Sequence, residues 1–86
     1  MINSEKRCYM CGTYQNLDIH HCIHGTGRRR LADEDGLTVY LCRTDHDKVH
    51  HDRTLDLAFI QMAERHYIGH IGTEDDFRKR YGKSWL

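Results

Sequence analysis

Three short clusters carry the residues able to do chemistry. The first is Cys8-Tyr9-Met10-Cys11-Gly12, the second His20-His21-Cys22-Ile23-His24, and the third runs from Cys42 through Asp45 and His46 to His50 and His51. All four cysteines and six of the eight histidines lie between Cys8 and His51, and only His66 and His70 stand outside. Thiolates and imidazoles gathered this densely are ligands for zinc and related ions. Cys8-x-x-Cys11-Gly12 has the form of a zinc knuckle: two thiolates converge on one ion if the backbone turns tightly, and Gly12 permits the positive φ such a turn needs. A redox C-x-x-C is the runner-up, but it wants a βαβ context and none follows.

Composition narrows the class. A chain of 86 residues is read as one domain, 1–86, with a metal core over 8–52 and supporting helices over 53–86. Domains this small bury a limited core and often add a metal or disulfides. Thirteen basic and thirteen acidic residues balance to zero, so any nucleic-acid footprint has to be local. No apolar run approaches the ~20 residues that span a bilayer, so no membrane partner is expected. Residues 1–7 are polar, lack the apolar stretch of a secretion signal and read as a loose lead-in. An intracellular protein is therefore expected, with thiols kept reduced for metal rather than paired as disulfides.

The elements that position these clusters follow from periodicity. Residues 17–24 read as a strand with Leu17, Ile19, His21 and Ile23 on one face and Asp18, His20, Cys22 and His24 on the other. The apolar face, and His21 with it, is expected to look toward a packed helix. Residues 25–36 read as a loop, basic in its first half (Arg28, Arg29, Arg30) and acidic in its second (Asp33, Glu34, Asp35). The three arginines can hold phosphates; on charge alone a solvated loop is the simpler reading. Residues 37–42 alternate cleanly, sending Leu37, Val39 and Leu41 to the core and delivering Cys42 at the strand end. Thr44, with Asp47 three residues on, reads as the cap of a helix that sets His46 and His50 one turn apart on one face. Thr54 reads as the cap of a longer helix to about Tyr67, with Leu55, Ala58, Phe59, Met62 and Ala63 as its apolar stripe. Gly69 and Gly72 break the chain, and Thr73 opens a last helix with acids first and bases last. Phe77, Tyr81 and Trp85 give that helix a face to dock.

Knuckle, strand, loop, strand, cysteine, helix is the order of a treble-clef zinc domain. The fold expected is therefore small, zinc-stabilised α+β: knuckle, β-hairpin and helix, followed by C-terminal helices. Cys8, Cys11 and Cys42 are three ligands to a structural Zn²⁺. The fourth comes from the first helical turn, where imidazole is the commoner structural partner, so His46 is favoured and Asp45 is the alternative. Cys22 reads as a small core residue.

In Cys8-x-x-Cys11-Gly12, His20-His21, Gly36 to Cys42, His46 and His50, and in the ending Phe77 to Leu86, the sequence resembles the HNH (ββα-metal) endonucleases, in particular short phage and prophage proteins of that type. The resemblance implies hydrolysis of nucleic-acid phosphodiester bonds, DNA being the favoured substrate, in the cytoplasm of a bacterial host. It places His20 as ligand to a second divalent ion (Mg²⁺, Mn²⁺, Ni²⁺ or Zn²⁺), His21 as general base and His50 or His46 as the helix ligand. Arg28, Arg29 and Arg30 would stand beside the scissile phosphate. A homodimer, or a larger phage or host protein, is the further partner this small size suggests. HNH motifs usually carry an Asn between the two histidine sites; this chain has none after Asn16, and Asp33, Asp35 or a backbone group would substitute.

The alternative reading is a non-catalytic treble-clef module that binds nucleic acid or a protein, with the extra histidines unused. Zero net charge, small size and the missing Asn motivate it. A weaker third idea, metal storage or sensing, rests on histidine density alone.

Overall fold

The computed structural model describes residues Met1–Leu86. Its elements are β1 (Leu17–His21), α1 (Arg28–Asp35), β2 (Thr38–Cys42), α2 (Arg43–His50), α3 (Arg53–His70) and α4 (Glu74–Tyr81). The fold is small α+β, as expected: two antiparallel strands and four helices.

The β1–β2 register pairs Leu17 with Cys42, His20 with Val39 and His21 with Thr38. Directly opposite residues of an antiparallel pair share a face. Leu37, Val39 and Leu41 are fully buried, as their alternation predicts. Asp18 and His20 are therefore turned inward beside Leu41 and Val39, while Ile19 is left 51% exposed. This reverses the expected faces of β1. The apolar count of β1 alone favoured Ile19 inside, but β2 carries the stronger alternation, and register binds β1 to it. β1 also stops at His21; Cys22 and Ile23 follow it into the core.

Three further expectations are corrected. Residues 1–7 are not loose: the Ile2 N–H donates to Thr38 O and the Tyr40 N–H to Asn3 Oδ1, so the N-terminal segment lies along β2. The charged stretch 25–36 contains helix α1. Its polar surface hides one apolar edge, with Ala32 buried and Leu31 packed against the core, and Gly36 ends it at φ +69°. The caps of the next two helices lie elsewhere than Thr44 and Thr54. Cys42 Sγ accepts from the Asp45 N–H to cap α2, and Asp52 accepts from Thr54 and Leu55 to cap α3.

α3 runs to His70, through Gly69, and buries Phe59, Ile60, Ala63, Glu64 and Tyr67. Thr73 and Asp76 form a reciprocal capping box on α4, and Phe77 and Tyr81 are buried as expected. α4 is tied to α1: Arg80 Nε and Tyr81 Oη each donate to Asp35 at 2.6 Å. The C-terminal tail is held by α3, where Glu64 accepts from Ser84 Oγ and the Trp85 N–H at 2.5 and 2.7 Å. No helix is long and apolar enough to cross a membrane.

Candidate functional site

Two groups of metal-ligating side chains lie on either side of the start of α2. The first unites Cys8 and Cys11 of the knuckle, Cys42 at the end of β2 and Asp45 in the first turn of α2; their ligand atoms lie within 4.8 Å of one another. The knuckle turns as Gly12 predicts, with φ +81° and its N–H on Cys8 O. Cys11 Sγ and Cys42 Sγ are 3.7 Å apart. That matches the edge of a tetrahedron with metal–sulfur bonds of about 2.3 Å, roughly 3.8 Å. Asp45 Oδ2 stands 3.2 Å from Cys8 Sγ and 3.3 Å from Cys42 Sγ. A donor set of three sulfurs and one carboxylate at these separations fits a zinc-like cation.

The protonation of this group points the same way. Burial raises the Cys8 thiol, but hydrogen bonds from the Cys11, Cys42 and Met10 backbone together bring it below its ordinary range. The Asp45 N–H lowers Cys42, yet burial and the adjoining Asp45, Cys11 and Cys8 outweigh it and push that thiol up to about 11. Thiol hydrogen bonds from Cys8 and then Cys42 hold the Asp45 carboxyl low. Three sulfurs and a carboxylate in one pocket repel one another when ionised, and a cation removes that repulsion.

His46 does not join this group, which corrects its expected place as the fourth ligand. The physical reason is helical rotation. Asp45 shares the inward stripe of α2 with Val49, whereas His46 and His50, one residue further on, turn toward β1.

The second group is His20, His46 and His50, whose ligand nitrogens also lie within 4.8 Å of one another. His46 Nε2 and His50 Nε2 are 3.2 Å apart. His46 Nδ1–H donates to Asp18 Oδ2 at 3.2 Å, which leaves Nε2 with a free lone pair. His20 sits between Phe59 and the other two rings, with centroids 5.4 Å from Phe59 and 5.3 Å from His46. It is 2% exposed, and its Nε2 is the one buried side-chain polar atom without a hydrogen-bond partner. Burial, reinforced by His46 and His50, lowers its pKa to about 4, so the ring is neutral at pH 7. A buried, neutral, unpartnered imidazole nitrogen facing two more imidazoles fits a divalent cation.

These three rings line a cleft of about 270 Å³ with Ile19, His21, His24 and Arg29. His21 is at its wall, outside the ligand group, with Nε2–H donating to Asp33 Oδ1 at 2.8 Å. His24 Nε2 is held by both carboxylate oxygens of Asp56, at 2.9 and 3.1 Å. Of the three arginines only Arg29 reaches the cleft. Arg28 donates to Tyr81 O and stacks over Trp85, and Arg30 pairs with Glu34. The expected arginine triplet is thus reduced to one by the helical spacing of α1, which sends neighbours to different faces. Cys22 is fully buried, and burial pushes its thiol up to about 12, so it is a core residue as expected.

The sequence alone assigns Asp18, His24 and Asp56 no specific role at the site. Asp18 was within reach of it, since two residues before His20 on a strand is the same face. The contact between His24 and Asp56 joins β1's downstream turn to α3, and no local pattern encodes it.

No curated protein and no solved structure matches the chain. A family model described as "Protein of unknown function (DUF968)" matches residues 2–58. That span includes every residue of both ligand groups and of the cleft. The chain belongs to the DUF968 family.

Proposed function

We propose that this protein is a metal-dependent endonuclease of HNH-like type that hydrolyses phosphodiester bonds of nucleic acid, DNA being the favoured substrate. In this reading Cys8, Cys11, Cys42 and Asp45 hold a structural zinc ion, and His20, His46 and His50 hold a second divalent ion. The observation that carries it is His20 Nε2, buried without a hydrogen-bond partner beside two imidazole nitrogens only 3.2 Å apart. One zinc would serve folding alone and leaves this second donor set without a purpose.

The ion, when bound, supplies Lewis-acid polarisation of a phosphate oxygen. The chain supplies the remainder. Asp18 fixes the His46 tautomer so that Nε2 faces the cleft group. Asp33 holds His21 through Nε2, leaving Nδ1 as the nitrogen able to take a proton from an attacking water. Arg29, the one arginine on the cleft, offers a forked donor to the phosphate.

Metal stoichiometry by elemental analysis, paired with plasmid cleavage under added Mg²⁺, Mn²⁺ or Ni²⁺, tests the reading. One tightly held zinc, cleavage that requires an added ion, and loss of cleavage in a folded His21→Ala variant support it. One zinc with no cleavage under any ion sinks it and favours the binding module. The engagement of Arg28 by Tyr81 O and of Arg30 by Glu34, which leaves neither on the cleft, is what speaks for that second reading.

A further inference from the structure

The cleft does not end at the histidine group. A second, smaller depression of about 110 Å³ is lined by His24, Val49, His50, Asp52, Arg53 and Asp56. His24 and His50 belong to both. The two adjoin at these shared walls, so lining residues follow one another from Arg29 on α1, past the three imidazoles, to Arg53 at the start of α3.

The charges along the far end are distinctive. Asp52 is engaged as the cap of α3, accepting from the Thr54 and Leu55 N–H groups at 2.9 and 3.1 Å. Asp56 is engaged by His24. Arg53 is the charged group of that wall with no carboxylate partner, as Arg29 is at the near end. Arg30, Arg78 and Arg80 are paired, and Arg43 and Arg65, which have no carboxylate partner either, line neither depression. Two unpaired guanidinium groups flanking a histidine-lined groove match a ligand whose negative charges repeat along its length.

We infer that Arg53 holds the phosphate next to the scissile one, so that the substrate lies as a strand along the groove from Arg29 to Arg53. The inference rests on the endonuclease reading and deepens it: it adds a second phosphate subsite at Arg53 and gives the bound strand a path across the fold. The near cleft alone does not give that path, because Arg29 and the imidazoles can engage a single phosphate.

The experiment is a salt series of fluorescence anisotropy with a short single-stranded DNA, without added divalent ion, for wild type, Arg53→Ala and Arg65→Ala. Arg65 is an exposed residue of the same helix, twelve residues or roughly 18 Å further on, and controls for loss of a positive charge. Arg53→Ala is expected to weaken binding several-fold and to reduce the slope of log affinity against log salt by about 0.7 to 1. Arg65→Ala should match wild type in both. Equal affinity and slope for Arg53→Ala and wild type, or an equal change in Arg65→Ala, overturns the assignment of Arg53. If wild type then still cleaves plasmid, the endonuclease reading survives without it. If wild type neither binds nor cleaves, the reading of the cleft falls as well.

Discussion

Asp45 and His46 are adjacent in sequence and belong to different donor groups. Asp45 Oδ2 lies 3.2 Å from Cys8 Sγ, while His46 Nδ1 lies 3.2 Å from Asp18 Oδ2 on β1. One turn of α2 thus serves both groups, and a step of about 100° around the helix axis separates their roles.

That division predicts opposite consequences for two neighbouring substitutions. Asp45→Ala removes a donor from the Cys8–Cys11–Cys42 group, and His46→Ala does not. Zinc content by elemental analysis should fall well below one per chain in Asp45→Ala and stay near one in His46→Ala. Structural zinc in small domains is linked to about 10–16 kcal/mol of binding free energy, so Cys42→Ser should not fold stably. Loss of zinc from His46→Ala would return that residue to the first group.

If the His20–His46–His50 group holds an ion as proposed, the carboxylate behind His46 should be felt by it. Asp18→Asn keeps the shape but weakens the hold on Nδ1–H and the preference for the tautomer that frees Nε2. Loss of such a partner typically costs 10- to 100-fold in metal affinity. Titration of the zinc-loaded protein with Ni²⁺ or Mn²⁺ by calorimetry should show a drop of roughly that size, with folding unchanged. Unaltered affinity would mean that Asp18 merely packs against α2.

Stability should depend on pH through His20. Its pKa is lowered from 6.5 to about 4, by burial first and then by His46 and His50, with Asp56 opposing and His24 reinforcing the shift. Between those values the unfolded chain binds a proton that the folded chain excludes. Stability attributable to His20 is therefore whole above about pH 6.5 and is lost as pH falls toward 4, by up to about 3 kcal/mol. Other groups of the fold also titrate in acid, so the quantity to read is the difference between wild type and His20→Leu in urea denaturation from pH 7 to 4. That difference should change with pH; a constant difference would mean that His20 does not carry the effect.

Glu64 predicts a local change at the C-terminus. It is fully buried on α3 and accepts from the Trp85 N–H and Ser84 Oγ. Glu64→Ala leaves that N–H without its partner and releases the tail, at a cost of about 1–3 kcal/mol. The sole tryptophan reports on it: Trp85 fluorescence should shift to the red in the folded variant, and the urea midpoint should fall. A lowered midpoint with unchanged emission would place the effect in the helix core.

The ligand inventory was legible in the sequence because it depends on residue type and local spacing. Cys8-x-x-Cys11 followed by Gly12 specifies a turn, Leu37–Val39–Leu41 specifies a buried strand face, and His46 and His50 share a helix face whatever surrounds them. Local spacing could not choose between Asp45 and His46, since both lie in the same helical turn and only the direction of β1 and the knuckle separates them. Nor could it orient β1. Five residues, with Leu17, Ile19 and His21 on one face and Asp18 and His20 on the other, are turned by their partner strand, and pairing with Val39 and Leu41 puts His20 inside and Ile19 outside. Helix α1 is not legible in its own residues because stabilising contacts come from α4: Arg80 and Tyr81, which donate to Asp35, are separated from it by 45 and 46 residues. Residue types and local spacing make the ligand atoms available to hold metal. Their partition into two groups comes from register, helix rotation and long-range pairing, which no window of neighbouring residues contains.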